Sequence, residues 1–175
     1  MKKTDLALSL ILTVALCGLA IALSPWVKVA RADAPTTDEE AQRRTVADIR
    51  NLGTAMFSWL TDQVGAAAAG QSEKPNPPEV DFADYPEISH ADLETILLPD
   101  YIVSVPELDG WESPYEVYLN TVNPMAEKVM SIRSPGRDGV FSDTAYTVTS
   151  FDPESFDEDI VWADGFFIRW PQKDR

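Results

Sequence analysis

The sequence is short of the residues on which most enzyme chemistry depends. It has one cysteine, Cys17, and one histidine, His90, in 175 residues. A single cysteine cannot close an intrachain disulfide, and Cys17 lies inside an apolar run, a poor setting for a reactive thiolate or a metal ligand. A nucleophile–base–acid triad would have to be built on His90 alone. That residue sits beside Ser89 and close to Asp92, so it reads as an exposed side chain near the start of a short helix. No G-x-S-x-G, H-E-x-x-H, C-x-x-C or phosphate-loop pattern occurs. Paired carboxylates could serve glycoside hydrolysis, but that chemistry needs a cleft, and the domain is small. The expectation is a protein that is not an enzyme. Positive charge is scarce too: 14 Lys and Arg stand against 29 Asp and Glu, for a formal net charge of −15. Such a surface repels nucleic acid and anionic lipid, so no nucleic-acid partner is expected. It suits solubility, cation binding or docking to a basic partner.

What the chain does have is apolar and aromatic material. Hydrophobic residues make up 45% of it, with five Trp, five Tyr and seven Phe, which argues for a packed domain rather than a disordered tail. The longest apolar run extends from Leu6 to Leu23, preceded by Lys2 and Lys3. A run of this length just spans a bilayer, and it is long for the core of a cleaved signal. Basic residues ahead of it place the N-terminus in the cytoplasm and the remainder outside. Ala30-Arg31-Ala32 offers an A-x-A-like cleavage site, but Lys28 and Arg31 separate it from the run, and a retained anchor is favoured. The expected organisation is therefore a cytoplasmic tip and membrane anchor over 1–32 and an extracytoplasmic domain over 33–175. The chain is thus expected to be a single-pass membrane protein with its C-terminal domain outside the cytoplasm. Without disulfides, such a domain must be held by its core or by a core together with a metal.

Thr37 followed by Glu40 fits a capping box, with acids in the first turn. Val46, Ile49, Leu52, Met56, Trp59 and Leu60 then recur at spacings of three and four, which predicts an amphipathic helix over 38–62. Residues 66–86 are rich in small residues and proline and read as a long irregular connection. A short helix is expected over 91–98, capped by Ser89. From Asp109 the texture turns to strands: Tyr115, Val117 and Leu119 alternate with polar residues, and 129–133 forms a second run. Ile160-Val161-Trp162 and 166–170 flank Asp164-Gly165, a strong hairpin signal. A lone amphipathic helix and a small antiparallel sheet bury their apolar faces against each other, so the fold class is α+β. Trp111 is expected as a core anchor, with a subunit contact as the other reading. Trp162 and Trp170 are expected to pack on the helix, or else to form an aromatic patch for a partner.

Three short segments also resemble a known family. Asp109-Gly110-Trp111-Glu112-Ser113-Pro114-Tyr115-Glu116-Val117-Tyr118 is similar to the D-x-W-G-x-P-Y-x-Y stretch of the major pseudopilins of type II secretion systems. Ser134-Pro135-Gly136-Arg137-Asp138-Gly139 resembles their S-x-G-x-D-G turn, and Asp157-Glu158-Asp159-Ile160 their D-x-D-I segment. The three stand in the family's order, after a helix whose 44–52 stretch resembles the end of the pseudopilin stem. The resemblance covers 38–170 and implies a pseudopilin-like head: a long helix packed on a small antiparallel sheet. It implies a structural, non-catalytic subunit of a type II secretion or type IV pilus-like system. The implied partners are copies of itself or other pilin-like subunits, together with envelope proteins of the secretion machine. It implies calcium as well, with Asp138, Asp157 and Asp159 matching the family's acidic positions. Calcium takes six to eight oxygens, and the stretch from Ser134 to Asp159 also holds Asp143, Asp152, Glu154 and Glu158. A solvated acidic loop is the other reading of that stretch. The anchor departs from the family, because Gly18 is followed by Leu19-Ala20-Ile21-Ala22, without the cleavage motif or the glutamate of prepilins. A stand-alone anchored binding module that reuses the head is thus the competing expectation.

Overall fold

The computed structural model describes residues 37–65 and 79–172. The apolar run, Cys17, the 32/33 boundary and much of the proline-rich connection lie outside them. Among the described residues no helix is long and apolar enough to cross a membrane.

Helix α1 spans Asp38–Val64. Thr37 caps it, its hydroxyl accepting the Glu40 amide at 3.2 Å, and Asp38, Glu39 and Glu40 lie at the positive end of the helix dipole. It ends at Gly65, which takes a positive φ of 78° and donates its amide to the Thr61 carbonyl. The buried stripe of Thr45, Ile49, Leu52, Met56, Trp59 and Leu60 faces the sheet. A second helix, α2, covers His90–Leu97, capped by Ser89, and sends Leu93 and Leu97 into the same core. Both helices match the expectation to within two residues.

The strands are β1 (Glu79–Asp81), β2 (Glu116–Leu119), β3 (Met130–Ser134), β4 (Ala145–Thr147), β5 (Thr149–Phe151), β6 (Ile160–Ala163) and β7 (Phe166–Pro171). The main sheet has the order β2-β3-β6-β7-β5. It is mixed rather than purely antiparallel, because β5 runs parallel to β7 along the edge. The expected β6–β7 hairpin forms, with Asp164 (φ 45°) and Gly165 (φ 100°) as its two turn residues. Both positive φ values suit the primed turns that match strand twist.

The sheet is also covered on both faces, which corrects the expectation of a single helix-on-sheet interface. Every residue of β3 and β6 is buried, so each face of these strands needs a cover. One face meets α1 and α2. The other meets a two-stranded ribbon of β1 and β4 and the 3-10 turn over Phe82–Asp84 that follows β1, within a cluster of Val80, Phe82, Tyr85, Tyr118, Tyr146, Val161, Ala163 and Ile168. Part of the stretch read as irregular connection therefore supplies this layer. Strands of three residues are too short to show an alternation, which is why they were not legible. Trp162 packs against α1 at Gly53, as expected. Trp170 does not join the helix-side core; it lies two residues from Ile168, on the opposite face of β7.

Candidate functional site

The three motif segments converge on the first turns of α1. Asp109 is fully buried. Its Oδ1 accepts the Trp111 and Ser113 amides, both at 2.9 Å, and its Oδ2 accepts the Ser134 hydroxyl at 2.6 Å. Burial pushes this carboxyl above the usual aspartate range, against the opposing pull of those hydrogen bonds. The next residue, Gly110, lies so close to the Ala41 carbonyl that a Cβ would collide with backbone. Its amide donates to Thr45 Oγ1 at 2.9 Å, and the Thr45 hydroxyl in turn donates to the Ala41 carbonyl. Trp111 is half-buried, and its indole Nε1 donates to Asp38 Oδ1 at 3.1 Å.

The second and third motifs join through Arg137. Its guanidinium donates to Asp157 Oδ1 at 2.8 Å, to Asp157 Oδ2 at 2.9 Å and to Asp38 Oδ2 at 3.1 Å. Its own amide donates to the Phe156 carbonyl. The Arg137 hydrogen bonds hold the Asp157 carboxyl below the usual aspartate range. These groups are solvent-exposed, so the pair fixes geometry more than it adds stability.

The three acids that the resemblance singles out do not meet as one cluster. Asp157 is engaged on both oxygens by Arg137. Asp138 is exposed, and its Oδ1 accepts the Val140 amide in a local turn at 3.0 Å. Asp159 is fully buried; its Oδ2 accepts the Ser142 amide and hydroxyl and the Tyr146 hydroxyl at 2.9, 2.6 and 2.8 Å. Its Oδ1 is also buried and has no hydrogen-bond partner among the described residues. A carboxylate oxygen left this way is the one feature here that fits a bound cation. Among the described residues, no three His, Cys, Asp or Glu side chains stand together as a metal-holding group. His90 lies elsewhere, with Nε2 at 3.3 Å from the Val105 carbonyl.

Behind Asp159 lies a charged core that the sequence patterns did not single out. Arg133 is 7% exposed. It donates to Glu116 through Nε and Nη2 at 2.8 and 2.5 Å, and to the Asp143 carbonyl and the Tyr146 hydroxyl through Nη1. Its guanidinium stacks over the Phe141 ring at 4.0 Å and the Phe82 ring at 4.8 Å. A separate recess of about 660 Å³ runs beside α1, lined by Arg50, Phe57, Trp162, Phe166 and Phe167 among others.

No protein-family model, curated protein or solved structure matches this chain. Its function is therefore read from its own residues.

Proposed function

We propose that this chain is a non-catalytic, pilin-like structural subunit. Residues 6–23 anchor it in the inner membrane, and the remainder forms a periplasmic head of the type carried by major pseudopilins of type II secretion systems. One observation carries the reading. The three segments that resemble the family are separate in the chain, yet they are bonded to one another through Asp109–Ser134 and Arg137–Asp157, and to the start of α1 through Trp111–Asp38 and Arg137–Asp38. Residues committed to holding backbone in place suit a subunit head better than a reaction centre. The partners are further copies, other pilin-like subunits and envelope proteins of the machine. Calcium is part of the proposal: Asp159 would be the buried ligand, with Asp138 and the neighbouring carbonyls completing the shell. Asp157 could join only on leaving Arg137.

A specific observation favours a second reading, that of an anchored binding module. The recess of about 660 Å³ presents aromatic surface beside a cation, which suits a ligand or partner.

Formaldehyde crosslinking of the full-length chain in membranes separates the two. A ladder of multimers is expected, with a melting temperature that rises on adding calcium and falls with chelator. A monomer band alone, at any calcium concentration, sinks the subunit reading and leaves the binding module.

A further inference from the structure

Most of the cations among the described residues are satisfied internally. Arg44 pairs with Asp48, Lys128 with Asp84, Arg133 with Glu116, Arg137 with Asp38 and Asp157, and Arg169 with Glu158. Arg43 and Arg50 differ. Among the described residues, the Arg43 side chain donates to the Glu39 carbonyl, and Arg50 lies over the Phe167 ring at 5.9 Å. In a chain of net charge −15, two exposed arginines outside the described ion pairs stand out.

These two arginines are also neighbours. Both are exposed and line one recess of about 390 Å³, together with Gln42, Val46, Ala47, Pro153 and Pro171. They are seven residues apart on α1, so they lie on one face, about 10 Å apart along the axis at ~1.5 Å per residue. The same recess holds a second unsatisfied donor side chain. Gln42 is 6% exposed, and its Nε2 has no hydrogen-bond partner among the described residues. Two fork-shaped cations and an unused amide over apolar walls make a receptor for carboxylates.

We infer that the recess between Arg43 and Arg50 receives the acidic surface of a second copy of this chain. Charge complementarity selects the occupant. The chain itself carries exposed glutamates, Glu87, Glu107, Glu112, Glu127 and Glu154 among them, that meet no cation among the described residues. A basic recess on one copy facing an acidic surface on the next is a heterologous contact. Such contacts propagate as an open chain unless a rotation closes them. The inference rests on the pilin-like reading and names the contact that would set subunit register within it.

The test uses the full-length chain in membranes, with the photo-crosslinker p-benzoylphenylalanine at position 47, the exposed alanine between the two arginines. Irradiation is expected to give a homodimer whose crosslinked peptide comes from a glutamate-bearing surface loop. The photodimer should fall roughly five- to tenfold in R43E/R50E, as expected for two exposed ion pairs, and fall less in R43K/R50K, which keeps the charges but loses the fork. It should also weaken as NaCl rises from ~0.05 to ~0.5 M, where screening shortens to a few ångströms. Neither arginine has a buried partner, so circular dichroism of the variants should be unchanged. If the formaldehyde ladder persists while no photodimer forms, or if R43E/R50E dimerises like wild type, this contact is wrong and the assembly reading stands. A photoadduct to a different protein overturns the second copy as occupant. Absence of both ladder and photodimer sinks the inference and the reading together.

Discussion

The two faces of the central sheet are built from different materials. The face under α1 and α2 is mostly aliphatic: Ile49, Leu52, Met56, Leu93, Leu97, Ile132 and Ile160 are almost wholly removed from water. The opposite face is aromatic and polar. Phe82 packs edge-on against Tyr118 and Tyr146, and the phenols reach carboxylates: Tyr85 to Asp164, Tyr118 to Glu116 and Tyr146 to Asp159. The first face is stabilised by area removed from water, about 1.5–3 kcal/mol for each large aliphatic side chain. The second also depends on each buried polar atom finding its partner, because a partner lost leaves a desolvated group behind. Damage to the first should thus be graded by volume and indifferent to pH, and damage to the second should depend on which partner is removed and on protonation.

The largest effect expected is on the aliphatic face. Leu52→Ala should lower the unfolding free energy by about 2–5 kcal/mol, the usual range for a large-to-small change at a fully buried site. Urea unfolding at pH 6 and pH 8 should give the same loss; a loss that changed with pH would break the comparison.

On the polar face, Arg133→Met keeps the volume and removes the charge. It should cost about 3 kcal/mol, because the Asp143 carbonyl and the Tyr146 hydroxyl each lose the Arg133 donor and Glu116 loses its ion pair. Glu116→Gln in the same chain should recover part of that loss. A double-mutant cycle reads the difference, and strict additivity would show that the ion pair is not the coupled unit proposed.

The mildest test is alkaline pH. Burial, with the Glu116 hydrogen bond after it, pushes the Tyr118 phenol up to about 12. Burial and their acidic partners raise Tyr85 and Tyr146 well above the usual range as well. A folded-state pKa above the unfolded value favours the protonated form. The stability the Tyr118 phenol contributes is therefore complete below about pH 10 and lost as pH climbs through about 12, and that of Tyr85 and Tyr146 is lost at higher pH still. Absorbance titration of a Tyr101→Phe variant should show little phenolate before the fold itself is lost, because Tyr101 is the exposed phenol among the described residues that would ionise first. Early, reversible ionisation in the folded protein would mean that the phenols are not held as described.

This difference between faces also explains what was legible in the sequence. The spacing of Ile49, Leu52, Met56 and Leu60 is a long periodic signal, and the Thr37 cap and the Asp164-Gly165 turn are local chemistry, so α1 and the last hairpin could be read directly. The aromatic face could not. Val80, Phe82 and Tyr85 sit in a proline-rich stretch with no period, and β1, β4 and β5 are each three residues long. Asp164 shows the limit within one residue. Its turn role was legible, but not that its Oδ1 accepts the Val129 and Met130 amides while burial raises its pKa. The candidate site divides in the same way. The motifs named Asp138, Asp157 and Asp159, but not that Arg137 would occupy Asp157, nor that Asp159 would keep one buried oxygen unmet among the described residues.

The sequence by itself determined the α+β class, both helices and their caps, the last hairpin and the acidic surface. Each follows from nearest-neighbour chemistry or from a period of 3.6 or 2 repeated often enough to read. Only the tertiary structure decided that the sheet is mixed and covered on both faces, that the three motif segments meet at the start of α1, and that Arg43 and Arg50 line one recess outside the ion pairs of the described residues. Those outcomes depend on which side chains distant in the chain arrive at the same place. Pairing of that kind is a property of packing and leaves no local trace in the order of residues.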